Sequence, residues 1–147
     1  MRKYIVMIII PTIIKSGVHN DERGDLFYYN DFDASSIKRV YFIKNQNTSI
    51  IRAWQGHKIE QRWFSAVTGS FKILLIKIDN WESPNKDLIP VEFILSSNKL
   101  DILHIPSGYI SSIQAIERNS KLMVMANYFL GEINDEYKYP QKYFEKI

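Results

Sequence analysis

The chain has 147 residues, 46% of them hydrophobic and 14% aromatic, with no cysteine and a formal net charge of +3. This length suits one domain with a substantial core, and the apolar content excludes a disordered chain. The lack of cysteine excludes disulfides and thiolate chemistry and fits a reducing compartment, while the dispersed lysines and arginines, with no basic run, argue against a nucleic-acid partner.

Met1-Arg2-Lys3 followed by YIVMIII has the look of a secretory leader. The apolar run is short, however, Pro11 interrupts it, and no small-residue cleavage site follows. It also falls short of the ~20 residues that a membrane helix needs. Residues 4–15 are therefore expected to form a buried strand broken near its proline. The protein reads as cytoplasmic, with no membrane partner.

Residues 17–24 have turn composition and close on Asp21-Glu22-Arg23-Gly24; 25–30 suit a short strand and 31–36 a loop. Residues 37–44 alternate, which places Ile37, Arg39, Tyr41 and Ile43 on one face and Lys38, Val40 and Phe42 on the other. A polar turn at 45–49 leads to strands at 50–57 and 61–68, and Thr68-Gly69 turns the chain into an apolar strand at 71–79. A loop with two prolines spans 80–90. Short strands follow at 91–95 and 102–105, then a turn at Pro106-Ser107-Gly108, where proline fixes φ and glycine tolerates φ > 0. Residues 111–117 and 121–129 are expected to pair across Arg118-Asn119-Ser120. The charged, tyrosine-rich tail 131–147 suits a short helix or a surface arm. Nine or ten short strands without a helical period predict an all-β fold, most economically a sandwich or jelly roll.

The candidate chemistry gathers in residues 51–69, which bring together Arg52, Trp54, Gln55 and His57. The chain holds only three histidines, and an imidazole near neutrality can serve as base, acid or metal ligand, or simply as a hydrogen-bonding strand residue. His57 is the candidate base. Tyr41, on the same strand face as Arg39, is a candidate proton donor. Arg23, Arg39 and Arg52 are candidate phosphate ligands, because guanidinium forks match phosphate oxygens; ordinary surface salt bridges are the alternative for each. Trp54, on the side of Arg52 if the strand is regular, is a candidate stacking platform for a base or sugar. His19 is expected to be exposed and His104 structural.

The succession D-x-R-G at 21–24, then IKRVYFI, an R-x-x-x-x-H-K block, G-S-F-K and L-x-I-P-x-G-Y resembles a family of small cupins, from about Asp21 to Tyr128. These are the nucleotide-sugar 3,4-ketoisomerases of the WxcM-like group, related to the dTDP-4-dehydrorhamnose 3,5-epimerases. The resemblance implies a single cupin domain over 1–147, with its core at about 21–130 and a tail at 131–147. It also implies a jelly roll, a homodimer and a nucleotide-linked 4-keto-6-deoxy sugar as ligand. The activity it implies is metal-independent isomerisation or epimerisation in surface polysaccharide synthesis, and a non-catalytic cupin that binds a nucleotide sugar or a partner enzyme is the alternative.

The usual motif of that family, R-G-x-H-A-H-K, stands here as Arg52-Ala53-Trp54-Gln55-Gly56-His57-Lys58. The second histidine is kept as His57 and Gln55 stands at the first; that first histidine supplies the general base in the related epimerases, and an amide at Gln55 cannot take a proton near neutrality. The resemblance places Arg23 and Arg52 near the nucleotide, and Tyr41 and His57 facing the sugar. Tyr128 and Glu132 fall where the epimerases carry a late tyrosine and an acid. The places of the four ligands of a metal-binding cupin hold Gln55, His57, Arg62 and Ser111. One ligand in four, with a cation beside it, does not hold a divalent metal. No metal or other cofactor is expected.

Overall fold

The computed structural model describes residues 9–145. The strands, in chain order, are β1 (Thr12–Ile14), β2 (Gly17–Asp21), β3 (Gly24–Tyr28), β4 (Arg39–Asn45), β5 (Ile51–His57) and β6 (Arg62–Thr68). They continue with β7 (Ser70–Lys77), β8 (Val91–Ser96), β9 (Ile102–Ile105), β10 (Tyr109–Ala115), β11 (Ser120–Ala126) and β12 (Tyr137–Lys138). Among the described residues there is no helix, and none is long and apolar enough to cross a membrane. The all-β expectation holds.

Two five-stranded sheets, β1-β9-β6-β11-β4 and β12-β5-β10-β7-β8, form the two layers, and β2-β3 makes a separate hairpin. Every pairing is antiparallel. The core lies between the layers, where Phe64, Leu103, Leu122 and Val124 of the first sheet meet Phe71, Ile73, Leu75 and Leu95 of the second. Full burial of aromatic and branched side chains of this size is the main stabilising term. A second cluster, Trp54, Ile76, Ile78 and Ile110, packs against Trp81 of the 78–90 loop and Tyr139 and Phe144 of the tail. A third gathers Trp63, Ile102 and Met125 beneath Tyr29, Phe32 and Ile37.

The alternation predicted for β4 is observed: Arg39, Tyr41 and Ile43 are partly buried, while Val40 and Phe42 remain exposed. Four other expectations change. Residues 17–21 are a strand of the β2–β3 hairpin, with only Glu22-Arg23 turning between its arms. Of the N-terminal run, residues 1–8 lie outside the described region, Ile9 and Ile10 are exposed, and regular pairing starts at Thr12. β10 and β11 do not pair with each other: β10 lies between β5 and β7, and β11 between β4 and β6. The short connection after Ala115 therefore crosses from one layer to the other, stitched by the Ser120 hydroxyl. That hydroxyl donates to the Glu117 carbonyl and accepts from the Ser70 N–H. Finally, the tail is no helix, and it adds β12 to the edge of the sheet beside β5.

Gly56 is needed where β5 meets β10. A Cβ there would meet the Tyr109 carbonyl oxygen and would lie 2.5 Å from the Ile110 Cα, both of them backbone atoms. Gly56→Ala is expected to lower stability by about 1–3 kcal/mol through forced displacement of packed backbone, read as a lowered urea midpoint at unchanged m-value.

Candidate functional site

β4, β5, β6 and β10 line a cleft that the tail closes on one side. It has two lobes, of about 270 Å³ and 190 Å³, and Tyr41, Gln55, His57 and Arg62 line both. The larger lobe adds Arg39, Glu60 and tail residues 130–136 other than Glu132. The smaller adds Arg52, Tyr109 and Ser111 above the apolar floor of Phe64, Ile105 and Ile113.

His57 ends β5 with its side chain only 12% exposed. Its Nδ1 lies 2.9 Å from the Asp135 carbonyl oxygen and 3.1 Å from Oε2 of Glu60. Both are acceptors, so Nδ1 carries the hydrogen and the neutral ring keeps its lone pair on Nε2. Burial, and then the nearby Arg62 charge, push the His57 pKa below its ordinary value against the opposing pull of Asp135 and Glu60. At neutral pH the ring is therefore a free base.

Asp135 sets this geometry. Its carboxylate accepts the backbone N–H groups of Lys58, Ile59 and Glu60 at 3.0, 2.9 and 2.8 Å, while its carbonyl holds His57. Behind His57, Glu60 and Arg62 form a buried ion pair at 2.6 Å, with side chains 8% and 10% exposed. Arg62 also donates from Nη1 to the Tyr41 hydroxyl at 3.0 Å. Arg39 lies over the Tyr41 ring, 4.6 Å from its centroid. Gln55 donates through Nε2 to Glu136, which leaves its side-chain carbonyl oxygen as an acceptor.

Of the residues singled out from sequence, Tyr41, Arg39, Arg52, Gln55 and His57 come together in this cleft. Trp54 does not. In the register of β5 against β10, Gln55 faces Ser111 and Arg52 faces Ile113. Ala53 and Trp54 thus stand against the single residue Ser112, and this bulge breaks the alternation assumed for the strand. Trp54 turns to the outer face, 6% exposed, with its Nε1 donating to the Gln141 carbonyl and Phe144 edge-on at 5.5 Å. Arg23 sits on the β2–β3 turn, paired with Asp21 at 2.6 Å, and does not line the cleft. The Arg23 guanidinium in turn holds the Asp21 carboxyl below its usual value. Glu132 pairs with Lys38 at 3.7 Å, and Lys38 also lies over the Tyr128 ring, so neither late residue reaches the cleft. His19 is exposed, and His104 stacks on Trp63 and bonds Gln61 at 2.6 Å, so it is structural.

Sequence reasoning missed Glu60 and Asp135, and it read Arg62 only as a charge unsuited to a metal. The order H-K-I-E-Q-R does carry a signal for two of them, since it sets a carboxylate three residues and a cation five residues after the imidazole. His57, Glu60 and Asp135 do bring ligand atoms within 4.8 Å of one another. Their chemistry nevertheless suits a cation poorly: Asp135 is taken by three N–H donors, and Glu60 by a guanidinium.

The family described as FdtA, WxcM-like, C-terminal matches residues 7–146. The chain belongs to this family. Three solved structures similar to this WxcM-like chain confirm a cupin fold. A 3,4-ketoisomerase from Helicobacter canadensis superposes with TM-score 0.70 at 22% identity, covering 91% of this chain and 94% of that one. A single-residue variant of the 3,4-ketoisomerase QdtA from Thermoanaerobacterium thermosaccharolyticum, in complex with TDP-4-keto-6-deoxyglucose, gives 0.69 at 23%, covering 95% and 94%. The rmlC epimerase of Mycobacterium tuberculosis gives 0.71 at 15%, covering 97% and 74%. No curated protein sequence matches.

Two expectations follow. Asp135→Ala orphans three N–H groups at once and is expected to cost roughly 2 kcal/mol or more, seen in urea denaturation. Burial also lowers both His57 and His104 below 6.5, so the unfolded chain binds more protons in the window beneath that value. Stability is then full above about pH 6.5 and falls as the pH drops toward the folded-state values. His57→Gln and His104→Gln should each flatten that fall in denaturation series across pH.

Proposed function

We propose that this WxcM-like cupin is a sugar-nucleotide isomerase acting, without metal, on a dTDP-linked 4-keto-6-deoxy sugar. The observation that carries this reading is His57: both acceptors at Nδ1 come from the protein, so Nε2 is the free basic atom of a ring that lines both lobes. A 4-keto sugar has an acidified proton at C3. His57 Nε2 takes that proton, its bonding electrons form C3=C4, and Tyr41 gives its hydroxyl proton to the C4 oxygen. The product of this step is an enediol. In the second step the C3 hydroxyl returns its proton to the Tyr41 oxygen, C3=O forms, and protonated His57 delivers its proton to C4. A 3-keto sugar results, and both residues are back in their starting states. Return of the proton to the opposite face of C3 would give an epimer instead.

Charge orients the ligand. The smaller lobe offers Arg52 and no carboxylate, whereas the larger sets Glu60, Asp135 and Glu136 beside Arg39; Arg62 lines both and is already paired with Glu60. The diphosphate therefore lies toward Arg52 and the sugar toward His57 and Tyr41. Related structures with TDP-4-keto-6-deoxyglucose and with TDP bound support this ligand class. Gln55, which cannot act as base, favours a second reading, a non-catalytic binder of the same ligand.

Solvent-deuterium exchange at C3 of dTDP-4-keto-6-deoxyglucose, followed by NMR, separates the two. Exchange that His57→Asn abolishes and Tyr41→Phe slows on the order of 10²-fold is the expected result. Broadened nucleotide signals without exchange would support the binder, and neither exchange nor broadening would remove both readings.

A further inference from the structure

We propose that Glu60 and Arg62 form a charged bridge that couples the proton donor Tyr41 to the base His57, so that the two transfer protons as one unit. The inference rests on the isomerase reading and adds two positioning residues to it. One oxygen makes the connection: Glu60 Oε2 lies 2.6 Å from Arg62 Nη2 and 3.1 Å from His57 Nδ1. At its other end Arg62 donates from Nη1 to the Tyr41 hydroxyl at 3.0 Å. The guanidinium is thus tethered by both terminal nitrogens, while its Nε is buried without a partner. An unpaired buried donor costs stability, so Arg62 is held for the contacts at its two ends.

The order of charges gives the bridge its use. Proton abstraction makes an imidazolium at His57 and removes a proton from Tyr41. The negative end of the resting pair, Glu60, already faces His57, and the positive end, Arg62, already faces the Tyr41 oxygen. Each developing charge meets its opposite in place, and preorganisation of this kind is a large catalytic term. The Tyr41 oxygen accepts from Arg62, so its own proton is free to go to the ligand. The other charged or titratable groups around the cleft are Arg39 on β4, Arg52 on β5, Tyr109 on β10, and Asp135 and Glu136 from the tail. None of these links Tyr41 to His57.

The test uses the full chain and the variants Arg62→Gln, Arg62→Lys, Glu60→Gln and the neutral double variant Glu60→Gln/Arg62→Gln. Without substrate, NMR titration of His57 should move up in Arg62→Gln and down in Glu60→Gln. With dTDP-4-keto-6-deoxyglucose, kcat for C3 exchange should fall on the order of 10²-fold in Arg62→Gln. KM and dTDP affinity should be kept, and Arg62→Lys should recover part of the rate. If the single variants fail to fold because a buried charge is left unpaired, the double variant restores a neutral hydrogen-bonded pair and should fold with the same loss of kcat. Wild-type exchange rates in Arg62→Gln or the double variant, or a parallel loss of dTDP binding, would overturn the bridge. If the wild type exchanges no C3 proton, the isomerase reading fails, and an unmoved His57 titration in Arg62→Gln would separately sink the coupling.

Discussion

One carboxylate near the end of the chain holds the site in shape. Asp135 gathers the N–H groups of Lys58, Ile59 and Glu60, and its own carbonyl takes the His57 Nδ1 hydrogen. The three N–H groups belong to the tight connection between β5 and β6, where no strand partner is available to them. Of the three donors only that of Glu60 sits in a buried residue, where an unmet N–H is costly, so the tail carboxylate favours this path of the connection. The tail is fixed in turn by β12 on the edge of β5 and by Phe144 against Trp54. Fold and site thus share one closure: the contact that ends the sheet also orients the His57 ring and presents Glu60 to it.

The bulge in β5 does a second piece of positioning. With two residues of β5 set against the single Ser112, Arg52, Gln55 and His57 all turn toward the cleft, while Ala53 and Trp54 go to the outer face. A regular strand would have put Arg52 and His57 on opposite faces. The extra residue therefore brings the Arg52 guanidinium and the His57 imidazole into one cleft. The same displacement gives the tail its apolar anchor in Trp54.

Much of the fold was legible because strands with one buried face announce themselves by alternation, as in Arg39–Tyr41–Ile43 against Val40–Phe42. Pairing was less legible. The stretch from β10 to β11 has the spacing of a hairpin, and composition does not say whether a short turn returns within a sheet or crosses between layers. Trp54 was misplaced for a related reason, since period two is silent about where an extra residue is inserted. Asp135 could not be read at all: its contacts span more than 70 residues, and a lone acid in a charged tail looks like any solvated acid. His57, Tyr41, Arg39, Arg52 and Gln55 could be singled out because their residue types carry chemistry and their strands carry a readable face, and the fold brings them to one cleft.

Gln55 then takes on a different meaning. An amide at that point removes one titratable group from the cleft, and the charge there is carried instead by Glu60 and Arg62, one connection further along. Two bases side by side would compete for one proton and pull each other's pKa apart. A single imidazole flanked by a fixed ion pair has its counter-charge already built in. Gln55 is bound to Glu136, so in the proposed function it would read a ligand hydroxyl without entering the proton inventory. In the proposed isomerase this division would leave recognition at the rim, where side chains are exposed, and proton transfer in the interior, where low solvent access strengthens each charge that meets its partner.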